Sequence, residues 1–238
     1  MRMLSNAENK SIMFCIEEKP SNSPFVERIW RTQGDRTGTF ISQAKAYTEI
    51  VLTRYKGKTT LTVRGPETKA TFLDYQSIGA EFLGITFKLG TFMPHLLPKN
   101  LRDWRNVGLP EANSQSFWLH GSAWQFPNYE NVDTFIARLV REGLLVTDPV
   151  VDTVLQGHSQ ALSIRSVQYR FLHATGLTNR TIQQITRARQ AYTLLEQGVS
   201  ILDTVSEAGY ADQPHLTRSL KRFFGQTPAQ MANQNLLE

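Results

Sequence analysis

The chain has 238 residues, 40% of them apolar, with 26 Lys and Arg against 21 Asp and Glu. That length suits two ordinary domains, and that apolar share excludes an intrinsically disordered chain. The single cysteine, Cys15, excludes a disulfide framework within the chain, and the formal charge of +5 is compatible with nucleic acid, an anionic membrane or an acidic partner without choosing among them.

The first twenty residues, "MRMLSNAENKSIMFCIEEKP", hold no sustained apolar run, so they read as a loose lead-in without a targeting signal. No stretch of the chain approaches the roughly 20 apolar residues of a membrane helix, and a cytoplasmic protein is expected. Strand signals fill residues 46–57, 58–76 and 80–94. Apolar Ile50 and Leu52, and then Leu61 and Val63, alternate with polar neighbours, while Gly and Pro punctuate. An antiparallel meander, small sandwich or open barrel follows from that spacing. The pattern loosens after Leu101. Residues 131–143 then read as a helix, with Phe135, Leu139 and Val140 on one face and Gly143 as its stop. All four tryptophans fall in this half (Trp30, Trp104, Trp118 and Trp124), as rings for a core, an interface or an effector pocket.

The texture changes near "GLLVTDP". Residues 1–145 are expected to form a β-rich domain and residues 146–238 an all-helical one, an α+β chain. "PVVDTVLQG" reads as a supporting helix for "ALSIRSVQYRFLHATG", in which Ser163 caps, Val167 and Phe171 face the core and Gly176 terminates. Arg165, Gln168 and Tyr169 then face outward, and Arg170 lies at the edge of the buried stripe. Residues 178–198 lack internal Gly and Pro and read as a long rod, with Ile185, Ala188, Ala191, Leu194 and Leu195 on its apolar side. Arg187, beside that stripe, is expected to serve an internal structural role. A second helix pair follows. Ser200 and Asp203 open the first helix, Gly209 closes it, and Asp212 caps the second with Pro214 in its first turn. Leu216, Leu220 and Phe223 face inward. Gln213, Pro214, Thr217, Arg218 and Lys221 face out.

Those outward residue types suit double-stranded DNA. Glutamine pairs with adenine, arginine forks onto guanine and threonine touches a thymine methyl, while Lys221 and Arg222 suit phosphates. A helical hairpin with a solvated basic face has the same periodicity, so both readings stand on spacing alone.

The segments "LSIRSVQYRFLHATGLT", "RARQAYTLLEQGVSI" and "EAGYADQPHLTRSLKRFFGQTP" together resemble the DNA-binding domain of the arabinose-regulator (AraC/XylS) family of bacterial transcription factors. The resemblance covers about residues 150–231. It implies seven helices, two of them recognition helices joined by a long one. It also implies base-facing roles at Arg165, Gln168, Tyr169, Gln213, Pro214, Thr217 and Arg218. Two departures stand out: Leu220 sits where many relatives carry an aromatic residue, and the spacing between Leu195 and Ser200 is one residue short. The N-terminal half resembles the β-rich domain of some relatives more weakly, which implies effector binding, homodimerisation or both. RNA polymerase is the further partner that such a regulator implies.

No Walker loop, dinucleotide fingerprint or nucleophile elbow is present, and the five histidines are scattered without an i, i+4 pair. No catalytic residue, metal or cofactor is therefore expected. The rival reading is an enzyme whose N-terminal catalytic barrel is tethered to DNA by the helical half.

Overall fold

The computed structural model describes residues 16–35, 37–76, 78–158 and 161–234. The alternating residues of the first half form a six-stranded antiparallel sheet. Its strands are β1 (Glu17–Lys19), β2 (Val26–Gln33), β4 (Glu49–Tyr55), β5 (Lys58–Arg64), β7 (Glu81–Phe87) and β9 (Val107–Leu109), in the order β1-β2-β7-β4-β5-β9. Register explains the core. Ile29, Ile85, Ile50, Val63 and Val107 stand in one row across five strands, and Leu83, Leu52, Leu61 and Leu109 in the next. Because side chains alternate along a strand, both rows point to one face. There they meet Phe117, Trp124 and the buried stripe of α2 (Val132–Arg141): Phe135, Ile136 and Leu139. On the other face Gly84 lets the Trp30 ring lie flat, since a Cβ there would sit 1.9 Å from the indole.

The expected strands of the first half are present. Sequence periodicity missed β1, β2 and the ribbon strand β3 (Thr37–Ser42), which pairs with β6 (Thr71–Gln76). It also missed β10 (Glu111–Asn113), β11 (Ser116–Leu119) and β12 (Ser122–Gln125), a three-stranded meander within the stretch expected to be loose. Strands of three or four residues are too short for alternation to register. Two further elements, β8 (Thr91–Phe92) and β13 (Val146–Thr147), pair with each other and bring the end of the first half back beside its middle. Of the four tryptophans, Trp124 is buried, Trp118 is exposed and the other two lie between.

After the short α1 (Pro98–Leu101), the helical half runs through α3 (Pro149–Leu155), α4 (Ile164–Thr175), α5 (Asn179–Glu196), α6 (Ile201–Glu207), α7 (Gln213–Phe224) and α8 (Pro228–Gln234). These are six helices among the described residues, where the family resemblance implies seven. The rod α5 is about 27 Å long at the standard rise. Its buried side, Ile182, Ile185, Ala188, Ala191, Tyr192 and Leu195, gathers α4, α7 and Met231 into a second core. Tyr192 stacks on Phe224 with ring centroids 4.7 Å apart. Among the described residues no helix is long and apolar enough to cross a membrane.

The second core does not stop at the helical half. Ala44 and Phe92, from the β-rich half, are buried in it. Two backbone hydrogen bonds cross the seam: Ala44 N–H donates to the Phe223 carbonyl and Ala70 N–H to the Arg222 carbonyl, each at 2.8 Å.

Candidate nucleic-acid interface

The two outward-facing helices are built alike. Ser163 and Asp212, Gly176 and Gly225, and Thr178 and Thr227 are pairs each separated by 49 residues. Ser163 Oγ accepts from the Ser166 N–H at 3.2 Å and Asp212 Oδ1 from the His215 N–H at 2.6 Å, so each helix opens on a side-chain cap. Each closes on a left-handed glycine, Gly176 with φ 72° and Gly225 with φ 75°. The glycines also admit the β-rich half. A Cβ on Gly176 would lie 2.7 Å from the Pro98 carbonyl carbon, and one on Gly225 would lie 2.9 Å from Ile41.

Among the residues expected to face outward, Arg165, Gln168 and Tyr169 on α4 are exposed, as are Gln213, Pro214, Arg218 and Lys221 on α7; Thr217 is half-buried. Phe171 and Ala174 of α4, and Leu216, Leu220 and Phe223 of α7, point the other way into the shared core. Neither helix carries a carboxylate. Each helix therefore brings one face of uncharged and cationic side chains to the surface, as contact with base edges and phosphates requires.

Several cations are committed elsewhere. Arg170 makes two hydrogen bonds to the Asp148 carboxylate, at 2.7 and 3.0 Å, and this pairing raises its pKa. Arg187 lies over the Tyr210 ring at 4.8 Å and donates to the Gly209 carbonyl, in keeping with the structural role expected of it. Arg189 reaches the Ala44 carbonyl at 3.3 Å across the seam. Arg180 is exposed on the rod.

One expectation needs correction. Val167 does not close into the core as Phe171 does; it is only half-buried, and the first two turns of α4 are otherwise exposed apart from Arg170. The supporting helix α3 has only seven residues, and it packs through Val150 and Val151. At the same register in the second unit, Leu216 is completely buried. Sequence alone hides this, since valine and leucine both satisfy the periodicity and only the length of the supporting helix decides what covers them.

A buried ionic cluster stands directly behind the seam. Lys45, next in sequence to Ala44, contacts Glu49 at 2.6 Å and Glu67 at 3.2 Å, and Arg64 lies 3.9 Å from Glu49. Burial opposes the charge on Lys45, but Glu49, Tyr47 and Glu67 outweigh it and raise its pKa. Burial likewise works against the Glu49 carboxylate, and Lys45 and Arg64 outweigh it in turn and hold its pKa below the ordinary value. Backbone hydrogen bonds in both directions between Lys45 and Glu67 lock the two segments together. This cluster connects residues distant in sequence and left no signal in the sequence pattern.

Among the described residues no group of three or more His, Cys, Asp and Glu could hold a metal ion. A groove of about 440 Å³ on the β-rich half runs between strands β2, β4 and β7 and the loop at residues 127–130. Its charges are paired across it, Arg31 with Glu17 at 2.7 Å and Arg54 with Glu81 at 3.9 Å.

Residues 159–234 match the sequence model of the helix-turn-helix domain family. Among curated proteins none matches. Solved structures of ToxT from Vibrio cholerae are similar over the chain at low identity. One is 12% identical, covers 92% of this chain and 98% of its own, and has a TM-score of 0.39. Another, bound to (E)-4-(8-methylnaphthalen-1-yl)but-3-enoic acid, is 10% identical, covers 92% and 99%, and has a TM-score of 0.39.

Proposed function

We propose, from the premise that residues 159–234 are a helix-turn-helix domain of the AraC type, that the chain is a sequence-specific regulator of transcription that binds double-stranded DNA. The observation that supports this best is the pair of capped, carboxylate-free helices α4 and α7, repeated at 49 residues and separated in the chain by one long rod. In this reading Arg165, Gln168, Tyr169, Gln213, Pro214, Thr217 and Arg218 meet base edges in successive major grooves, and Lys221 holds a phosphate. The domain boundary lies near residue 146. The β-rich half modulates DNA binding, through a small-molecule effector or through dimerisation. Its contacts to both units, at Gly176 and Gly225, give any change in that half a path to both. RNA polymerase is the partner through which promoter occupancy is read out, and the reducing cytoplasm is the compartment. No observation favours an enzyme.

Enrichment of duplexes from a random pool by the full chain tests the proposal. One family of sequences should emerge, with an affinity that falls steeply with salt as phosphate counterions are released. Arg218→Ala should then weaken that binding by about 1–3 kcal/mol and relax the preference at one base position. Binding that is equally tight to every duplex would refute sequence-specific recognition.

A further inference from the structure

The 49-residue register pairs the outward face of α4, position by position, with that of α7. Ile164, Arg165, Gln168, Tyr169 and Leu172 stand where α7 carries Gln213, Pro214, Thr217, Arg218 and Lys221. The two faces differ sharply in chemistry. The α7 face has two cations and two further polar side chains. The α4 face has one cation and three large apolar or aromatic groups, all of them exposed: Ile164 at 77%, Tyr169 at 68% and Leu172 at 38%. Leu162, just before the helix, is exposed as well and helps line a shallow concavity with Arg165 and Tyr169. Exposed apolar groups clustered on one helix face mark a surface that is covered when the protein works.

The same helix indicates what covers it. Ile164 is the first residue of α4, next to Arg165, and the N-terminal side chains of such a helix are those that reach base edges. α4 has no carboxylate to repel phosphate, and its own register partner α7 presents a cationic face. Thymine is the base that offers the major groove an apolar group, its C5 methyl. Tyr169 is steadied for such a contact by stacking on His173, with centroids 5.9 Å apart; His173 in turn meets Phe92 edge-on at 5.4 Å.

Resting on the DNA-binding reading above, we propose that α4 selects thymine-rich sequence through methyl contacts, with Ile164 as a further specificity-determining residue beside Tyr169. The second unit, through Arg218 and Gln213, reads by hydrogen bonds instead. The two halves of the bound site then obey different chemistry.

Replacing thymine by deoxyuridine removes only the methyl and leaves every hydrogen-bonding group in place, which makes it the direct test. Duplexes enriched by the full chain are resynthesised with deoxyuridine in one half at a time. The half belonging to α4 is identified as the one whose preference Gln168→Ala relaxes. Loss of each contacted methyl should weaken wild-type binding about fourfold, the worth of one buried methylene-sized group. Ile164→Ala, a change at an exposed position, should weaken binding to the thymine duplex and lose part of the discrimination against deoxyuridine. Arg218→Ala should bind more weakly yet keep that discrimination in full. Equal wild-type binding to the two duplexes, or undiminished discrimination by Ile164→Ala, overturns the methyl contact while leaving DNA binding intact. In that case the apolar face serves a protein partner. Failure to enrich any duplex would overturn the functional reading itself, and with it this inference.

Discussion

The two helix-turn-helix units share a register, a capping scheme and a terminal glycine, yet they are supported differently. In the second unit α6 and α7 both belong to the helical core, and Leu216 and Leu220 of α7 are fully buried. In the first unit α3 covers only part of α4, Val167 is half-exposed, and the rest of the first two turns is exposed apart from half-buried Arg170. Similar local sequence therefore gives a well-buried inner face in one helix and a partly exposed one in the other. Local signals such as caps and periodicity define a helix, but burial of its inner face decides how firmly it is held.

The largest expected effect probes the support behind the second unit. Lys45→Met leaves Glu49 and Glu67 buried without their nearest cation and should cost about 3–5 kcal/mol in urea unfolding at neutral pH. The sign of the pH dependence adds a second readout. In the wild type the Glu49 pKa is held below its ordinary value, so its contribution is complete above the ordinary carboxylate range and is lost as pH falls through the lowered value. Without Lys45 the opposing effect of burial gains weight, and the loss of stability on acidification should become shallower. An unchanged stability and an unchanged acid slope would show that the cluster does not brace the seam.

A smaller effect compares the units at one register position. Leu216→Ala should cost about 2–5 kcal/mol, and Val167→Ala about 1 kcal/mol or less, because half-buried Val167 leaves little cavity behind. Equal costs would erase the asymmetry in support. The smallest effect concerns the caps. Ser163→Ala and Asp212→Ala should each cost about 1 kcal/mol. Hydrogen exchange separates them: the more exposed first turns of α4 should lose protection in Ser163→Ala, while α7 stays protected in Asp212→Ala. Matching exchange in the two variants would mean that α4 is as well supported as α7.

Much of this molecule was legible in its sequence. The Ile50/Leu52 and Leu61/Val63 alternation located the central strands, and Ser163, Gly176 and Asp212 marked three of the four ends of the exposed helices. These are local signals, set by side-chain period, by a cap oxygen within reach of its own helix, and by glycine's tolerance of positive φ. The outward faces of α4 and α7 followed from the same periodicity. The strands of residues 107–125 were not legible, because each is too short to show a period. The contrast between Val167 and Leu216 was equally hidden, since both are apolar at an inward position.

Sequence by itself determined which segments become helices and strands and which side of each is apolar, because those properties depend on neighbours within a few residues. Tertiary structure alone decided that Ala44 and Ala70 hydrogen-bond to the end of α7, that Lys45 is buried between Glu49 and Glu67, and that Ile164 is left uncovered. Each of those depends on segments far apart in the chain arriving at one place, or failing to, and no local pattern records such a meeting.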